Sequence, residues 1–284
     1  MRLTKVHSLG NDFLIFDEDE NETPKNWESF ARRICERHTG IGADGLVPIS
    51  IKNKQKGRVN FRVFNSDGTE AELSGNGLRC AATYLYHKNK IKASHILFMT
   101  TAGKRECFLI NRKDNYFELK IEMGKPLLRS KDIPFDDGSV HEKIIDYPLT
   151  IHQKRHLITV VSLGNPHCAL FVERFPARIE WHEIGREIEL HPFFPNRTNI
   201  EFIRVMNNKE IEVLFWERGV GETLSSGSGS CAAAVAAILK KLTDRKVNVR
   251  TTMGNLTVEW DEENIYQSGP SEVIFEGDYF LDRM

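Results

Sequence analysis

A serine followed by a glycine-rich turn occurs twice in this chain of 284 residues, as Ser74-Gly75-Asn76-Gly77 and as Ser226-Gly227-Ser228-Gly229. Each copy opens an alanine-rich run of helical character. Glycines at the start of a helix leave backbone N–H groups uncovered, and those groups together with the helix dipole make a site for an anion. Taken alone, either turn is better read as a plain helix start with serine as its N-cap.

Two further echoes fall in the same order, Ser8-Leu9-Gly10-Asn11 with Ser162-Leu163-Gly164-Asn165 and Thr100-Thr101-Ala102-Gly103 with Thr251-Thr252-Met253-Gly254. Three matches at nearly constant offset are the mark of an internal repeat, and the period is too long for a solenoid. The chain therefore reads as two copies of one unit, with domains expected at 1–126 plus 270–284 and at 127–269. A pair of related helix dipoles that converge on one carboxylate, each with a side chain reaching an opposite face of the adjoining carbon, is the layout of a racemase.

The elements that must position these turns are mostly strands. Strand-like runs lie at Phe13–Phe16, Val59–Phe64, Ile96–Met99 and Tyr116–Ile121, then at Leu157–Val161, Ile200–Met206, Glu210–Trp216, Val247–Thr251 and Leu256–Trp260. Asn207-Asn208 reads as a hairpin turn. An amphipathic helix is expected after Thr23-Pro24, with Trp27, Phe30, Ala31 and Ile34 on one face. The run Cys231–Leu239 is apolar on every side, so its helix is expected to be wrapped by a sheet; the copy after Gly77 should be similar with more polar exposure. The stretch from Lys125 to Lys143 has the composition of an interdomain linker.

Composition narrows the function. A hydrophobic share of 40% and a charged share of 28% are those of a globular protein. A net charge of −1 offers no surplus to attract nucleic acid or an anionic membrane. No apolar run approaches the ~20 residues that span a bilayer, and a cytoplasmic enzyme is expected. Cys35, Cys80, Cys107, Cys168 and Cys231 are odd in number and lack metal-type spacing, so buried reduced thiols are expected. His141, His152 and His156 lie in polar sequence without obvious carboxylate or thiol partners, and no metal site is expected.

The motifs Leu9-Gly10-Asn11-Asp12-Phe13, Gly40-Ile41-Gly42-Ala43-Asp44-Gly45, Phe64-Asn65-Ser66-Asp67-Gly68, Gly75-Asn76-Gly77-Leu78-Arg79-Cys80, Gly164-Asn165-Pro166-His167, Asn199-Ile200-Glu201-Phe202 and Trp216-Glu217-Arg218-Gly219 stand in order along almost the whole chain. In them the chain resembles the diaminopimelate epimerases, cofactor-independent enzymes of bacterial lysine biosynthesis. The resemblance implies an α/β (α+β) fold of two pseudo-symmetric domains, each a curved, mostly antiparallel sheet wrapped around a central helix, with the active site in the interdomain cleft. It implies no cofactor, no metal, an amino-acid substrate and a homodimer. Substrate contacts would fall on Asn11, Asn65, Asn165, Asn199, Glu217 and Arg218, and the reacting carboxylate on Gly75-Asn76 and Gly227-Ser228. A guanidinium such as Arg218 suits the distal carboxylate, while asparagines serve ammonium and carboxylate groups alike.

The family has a catalytic cysteine before each glycine turn; Ser74 and Ser226 stand there in this chain. A thiol at a helix N-terminus ionises near neutral pH, whereas a serine hydroxyl needs a neighbouring base. The resemblance puts His167 and Glu217 near the two positions, where each could assist a serine. Three readings follow: an epimerase of diaminopimelate altered at both acid–base positions, a dehydratase or other isomerase of the same superfold, and a non-catalytic paralogue that binds an amino acid.

Overall fold

A computed structural model describes residues 1–280; the end of the 270–284 segment assigned to the first domain lies outside the described residues. The chain divides into two compact units, Met1–Glu122 with the segment from Ser268 onward, and Met123–Gln267.

Unit 1 is built on two parallel crossovers in an otherwise antiparallel sheet. Strand Asn11–Asp17 runs parallel to Gly45–Asn53, with Phe13 opposite Gly45, and the connection carries helix α1 (Trp27–Cys35). Strand Arg58–Phe61 runs parallel to His95–Thr100, and that connection carries helix α2 (Gly75–His87). Antiparallel neighbours complete the sheet: Arg2–Ser8 pairs with Asn11–Asp17, and His95–Thr100 with Gly103–Lys113. Unit 2 repeats the order. Pro166–Phe171 is parallel to Asn199–Asn207 around helix α3 (Arg178–Glu189), and Glu210–Glu217 is parallel to Lys246–Thr251 around helix α4 (Gly227–Leu239).

Local chemistry accounts for the elements. Asn26 caps α1 by accepting from Ser29 N, and Phe30, Ala31 and Ile34 face the core as the apolar spacing requires. Residues Gly229 to Ala237 of α4 are all buried, against strands from Lys154–Ser162 to Gly254–Trp260. Alanines let those strands approach a helix that has no solvent face. In α2 every residue from Gly75 to Tyr86 is buried, so the expected polar exposure is not found. Arg79 is the reason, because its guanidinium lies inside the unit, hydrogen-bonded to Ser8 and Asn76.

Other expectations shift in detail. The strand expected at Val59–Phe64 is interrupted at Arg62 into Arg58–Phe61 and Val63–Asn65; Arg62 N donates to Pro48 O in the same register, but Pro48 has no N–H to return the bond. The hairpin turn is Asn208-Lys209, one residue later than expected, with Asn207 Oδ1 accepting from Lys209 N. Helix α3 was not anticipated: Ala177 supplies no capping side chain, although Trp181, Ile184 and Ile188 have helical spacing.

The expected linker, Lys125 to Lys143, is part of the body of unit 2. Leu127 bridges to Ser162, and Ile133 and Phe135 are buried in a core cluster with Ile158, Leu170 and Trp181. Two apolar anchors in a polar stretch are too few to show in its composition. If they are core residues, Ile133→Ala should lower stability by about 2 to 5 kcal/mol in urea unfolding, whereas substitution within a free linker would leave the midpoint in place.

Candidate active site

Each glycine turn is a helix start capped by its own serine. Ser74 Oγ accepts from Gly77 N at 3.0 Å, and Ser226 Oγ accepts from Gly229 N at 3.3 Å. Ser74 is half-buried and Ser226 is 8% exposed. One amide of each helix start is thereby satisfied, and the hydroxyl hydrogen of each serine remains able to donate. The glycine ending each turn has no room for a side chain. A Cβ on Gly229 would sit 2.9 Å from Glu201 Oε1 and 3.0 Å from Ser226 Cβ, and one on Gly77 would sit 3.2 Å from Ser74 Cβ.

In unit 1 the residues from separate motifs form one hydrogen-bonded chain. Arg79 donates to Asn76 Oδ1, Asn76 Nδ2 donates to Asn11 Oδ1 at 3.0 Å, and Asn11 Nδ2 donates to Asp44 Oδ2 at 2.8 Å. Asn11 is delivered by a two-residue hairpin turn whose residues, Leu9 (φ 50) and Gly10 (φ 81), are both left-handed. Behind it, Asp12 receives both terminal nitrogens of Arg37 and lies 2.8 Å from Lys5 Nζ. Burial alone would raise the Asp12 carboxyl, but these donors and the Asp44 amide bring it down to about 2. Asn65 stands apart from this chain, exposed, its Nδ2 donating to Thr69 Oγ1 at 2.9 Å.

In unit 2 the site residues form a separate set of contacts, of which Glu201 reaches the start of α4 at Gly229. His167 Nδ1 lies 2.7 Å from Glu201 Oε1, both side chains 1% exposed, and His167 Nε2 lies 3.0 Å from Asn165 Oδ1. Burial raises the Glu201 carboxyl above its ordinary value, against the attraction of His167. Asn199 ties two loops together, donating to Pro166 O at 2.9 Å and accepting from Arg218 N at 3.0 Å. Glu217 Oε1 accepts from Thr223 Oγ1 at 2.7 Å. The Arg218 guanidinium is exposed and bonded to Asn196 O.

Asp44, Arg79 and Glu201 lay within the sequence motifs but carried no assigned role. Their signal was only charge embedded in a motif; each also has a partner more than thirty residues away, Asn11 for Asp44, Ser8 for Arg79 and His167 for Glu201. The five cysteines are buried thiols outside any disulfide. Burial pushes Cys35, Cys80 and Cys107 up to about 12 and raises Cys168 well above its usual range, so none of these four supplies a thiolate near neutral pH. His141 and His152 do have carboxylate partners, contrary to expectation: Asp137 and Glu187, each at 2.9 Å. Among the described residues no group of three or more His, Cys, Asp or Glu is placed to hold a metal ion.

The family model described as diaminopimelate epimerase matches residues 3–128 and 159–274. The protein named diaminopimelate epimerase from Pelotomaculum thermopropionicum is 41% identical over 281 residues, covering 98% of this chain and 99% of its own. That from Moorella thermoacetica is 38% identical, covering 99% and 100%. Solved structures share the fold at low identity. A hydroxyproline epimerase from Agrobacterium vitis with bound trans-4-hydroxy-L-proline has a TM-score of 0.68 at 13% identity, over 98% of this chain and 90% of that one. A phenazine biosynthesis protein from Bacillus anthracis has 0.68 at 16%, over 99% of both.

The caps and the ionic cluster have measurable consequences. Ser74→Ala and Ser226→Ala should each destabilise by about 1 kcal/mol through loss of the N-cap; unchanged unfolding midpoints would mean that the serines do not cap. Asp12 has a folded-state pKa below its usual value of 3.8. Its contribution, about 2 kcal/mol, is present above pH 4 and lost as pH falls toward 2. Acid unfolding curves of the unaltered protein and Asp12→Asn should accordingly converge at low pH and separate above pH 4.

Proposed function

The chain belongs to the diaminopimelate epimerase family, and we propose that it binds diaminopimelate with its recognition residues intact while serines occupy the two acid–base positions of an LL- to meso-epimerisation. What supports this is the site's composition: the polar contacts that the resemblance implies, Asn11, Asn65, Asn165, Asn199, Glu217 and Arg218, all stand in their motifs, while the two acid–base positions carry serine. Whole-length identity to proteins named diaminopimelate epimerase favours this over a dehydratase or a non-catalytic paralogue.

The roles divide between the turns and the residues around them. The amides of Gly75-Asn76 and Gly227-Ser228 receive the reacting carboxylate, whose charge the helix dipoles favour. Asn11, Asn65, Asn165, Asn199 and Glu217 make the remaining polar contacts, and Arg218 takes the distal carboxylate. Inversion of the α-carbon needs a base on one face and an acid on the other, the places of residues 74 and 226, with His167 and Glu217 as the titratable groups that the resemblance puts near them. No electron-sink cofactor is invoked, because stabilisation by fixed dipoles suffices for a carboxylate-bearing carbanion. A homodimer in the cytoplasm completes the reading; among the described residues no helix is long and apolar enough to cross a membrane.

Serine as the N-cap is the arrangement least suited to proton abstraction. One of its two lone pairs is engaged by an amide, and its intrinsic acidity is far below that of a thiol. In D₂O the unaltered protein should bind diaminopimelate yet exchange its α-hydrogen little, as read by proton NMR. Ser74→Cys with Ser226→Cys should restore epimerisation, each well-placed proton transfer being worth ~10²- to 10⁴-fold, and either single change should do less. Fast inversion by the unaltered protein, or an inert double variant that still binds, would refute this division of labour. Because Arg218 is exposed, Arg218→Ala should weaken binding by only about 1 kcal/mol, measured by calorimetry.

A further inference from the structure

An asparagine side chain offers hydrogen on one arm and oxygen on the other, and the arm left for a ligand is decided by what holds the opposite one. In unit 1 the deciding neighbours have no choice of polarity. The fully buried Arg79 guanidinium can only donate, and Asn76 Oδ1 receives it. Asn76 Nδ2 then donates to Asn11 Oδ1, and Asn11 Nδ2 donates to Asp44 Oδ2. The Asp44 carboxylate, which also receives Arg37 at 2.7 Å and the Asp12 amide at 3.1 Å, can only accept. The chain runs from an obligate donor to an obligate acceptor, so both amides are fixed in one direction. Each has its oxygen turned toward the protein and one N–H hydrogen to spare.

Asn65 is held the other way round. Its Nδ2 donates to Thr69 Oγ1 at 2.9 Å, and the Thr69 hydroxyl donates to Asp67 Oδ1 at 2.6 Å. Hydrogen bonds from the Thr69 hydroxyl and amide hold the Asp67 carboxyl below its usual range, which keeps it an acceptor. The arm of Asn65 without a partner is Oδ1, on an exposed residue.

We propose that Arg79, Asp44 and Thr69 are positioning residues that sort the asparagines of unit 1 by polarity: Asn11 and Asn76 present N–H to a carboxylate, and Asn65 presents oxygen to an ammonium group. This deepens the reading of diaminopimelate as ligand, which carries both groups, and it removes an ambiguity that asparagine as a residue type leaves open.

Thr69 offers the cleanest test, because Thr69→Val keeps the shape and removes the hydroxyl, while Thr69→Ser keeps the hydroxyl. Calorimetry with diaminopimelate and with pimelate, which has both carboxylates and no ammonium, measures what the ammonium groups contribute. Thr69→Val should reduce the preference for diaminopimelate about 2- to 10-fold, with pimelate binding unchanged, and Thr69→Ser should restore it. A preference untouched by valine, or lost equally with serine, would overturn the assignment. Side-chain amide NMR without ligand tests the polarity independently of binding. One hydrogen each of Asn11 and Asn76 should be slow to exchange, and the Asn65 amide signals should move on Thr69→Val; fast exchange of both hydrogens at Asn11 and Asn76, or an unmoved Asn65, contradicts the proposal. If the unaltered protein binds neither compound, the ligand reading fails while the spectra still decide the polarity.

Discussion

Burying the start of a helix is the constraint on which the rest of this structure depends. A helix wrapped by strands cannot leave its first amides to water, and each amide without a partner in an apolar setting costs free energy of the order of a lost hydrogen bond, about 1 to 3 kcal/mol. Helices α2 and α4 meet the requirement identically. A serine accepts from the third amide, glycines let neighbouring groups close in, and each helix keeps its remaining first amides at its own start. An arrangement that stabilises the fold therefore also concentrates positive potential where a carboxylate would be received.

The two units solve the surrounding problem with different chemistry. In unit 1 a buried cation, Arg79, anchors a file of asparagines that ends on Asp44. In unit 2 a buried pair, His167 and Glu201, lies beside the helix start. The matching registers, Phe13 opposite Gly45 and His167 opposite Asn199, put Phe13 where unit 2 has His167, and Val47 where it has Glu201. One duplicated frame thus carries an apolar pair in one copy and an ionisable pair in the other. Glu201 Oε2 has no hydrogen-bond partner, so the second copy keeps an uncompensated buried polar atom on the residue whose other oxygen lies against Gly229.

The sequence disclosed the repeat, most strands and the glycine turns because these rest on local patterns: alternation, apolar runs and turn residues at fixed offsets. It was poorer wherever a partner distant in sequence decides the outcome. Arg79 has the look of a surface residue on an amphipathic helix, and only Ser8 and Asn76, which receive it, reveal its burial. Lys125 to Lys143 has the look of a linker because two buried side chains, Ile133 and Phe135, are few among many polar ones. The polarity of Asn11, Asn65 and Asn76 was invisible for a different reason: an amide has no preferred direction until the geometry of its neighbours, near or far in sequence, is known.

The central claim is that both serine-capped helix starts remain carboxylate sites although their acid–base side chains are unsuited to proton abstraction. A ¹⁵N–¹H NMR titration with diaminopimelate tests it most directly. The account predicts saturable shifts of the Gly75, Asn76 and Gly77 amides together with those of Gly227, Ser228 and Gly229. Saturation with both sets unmoved, or shifts confined to other parts of the chain, would contradict it.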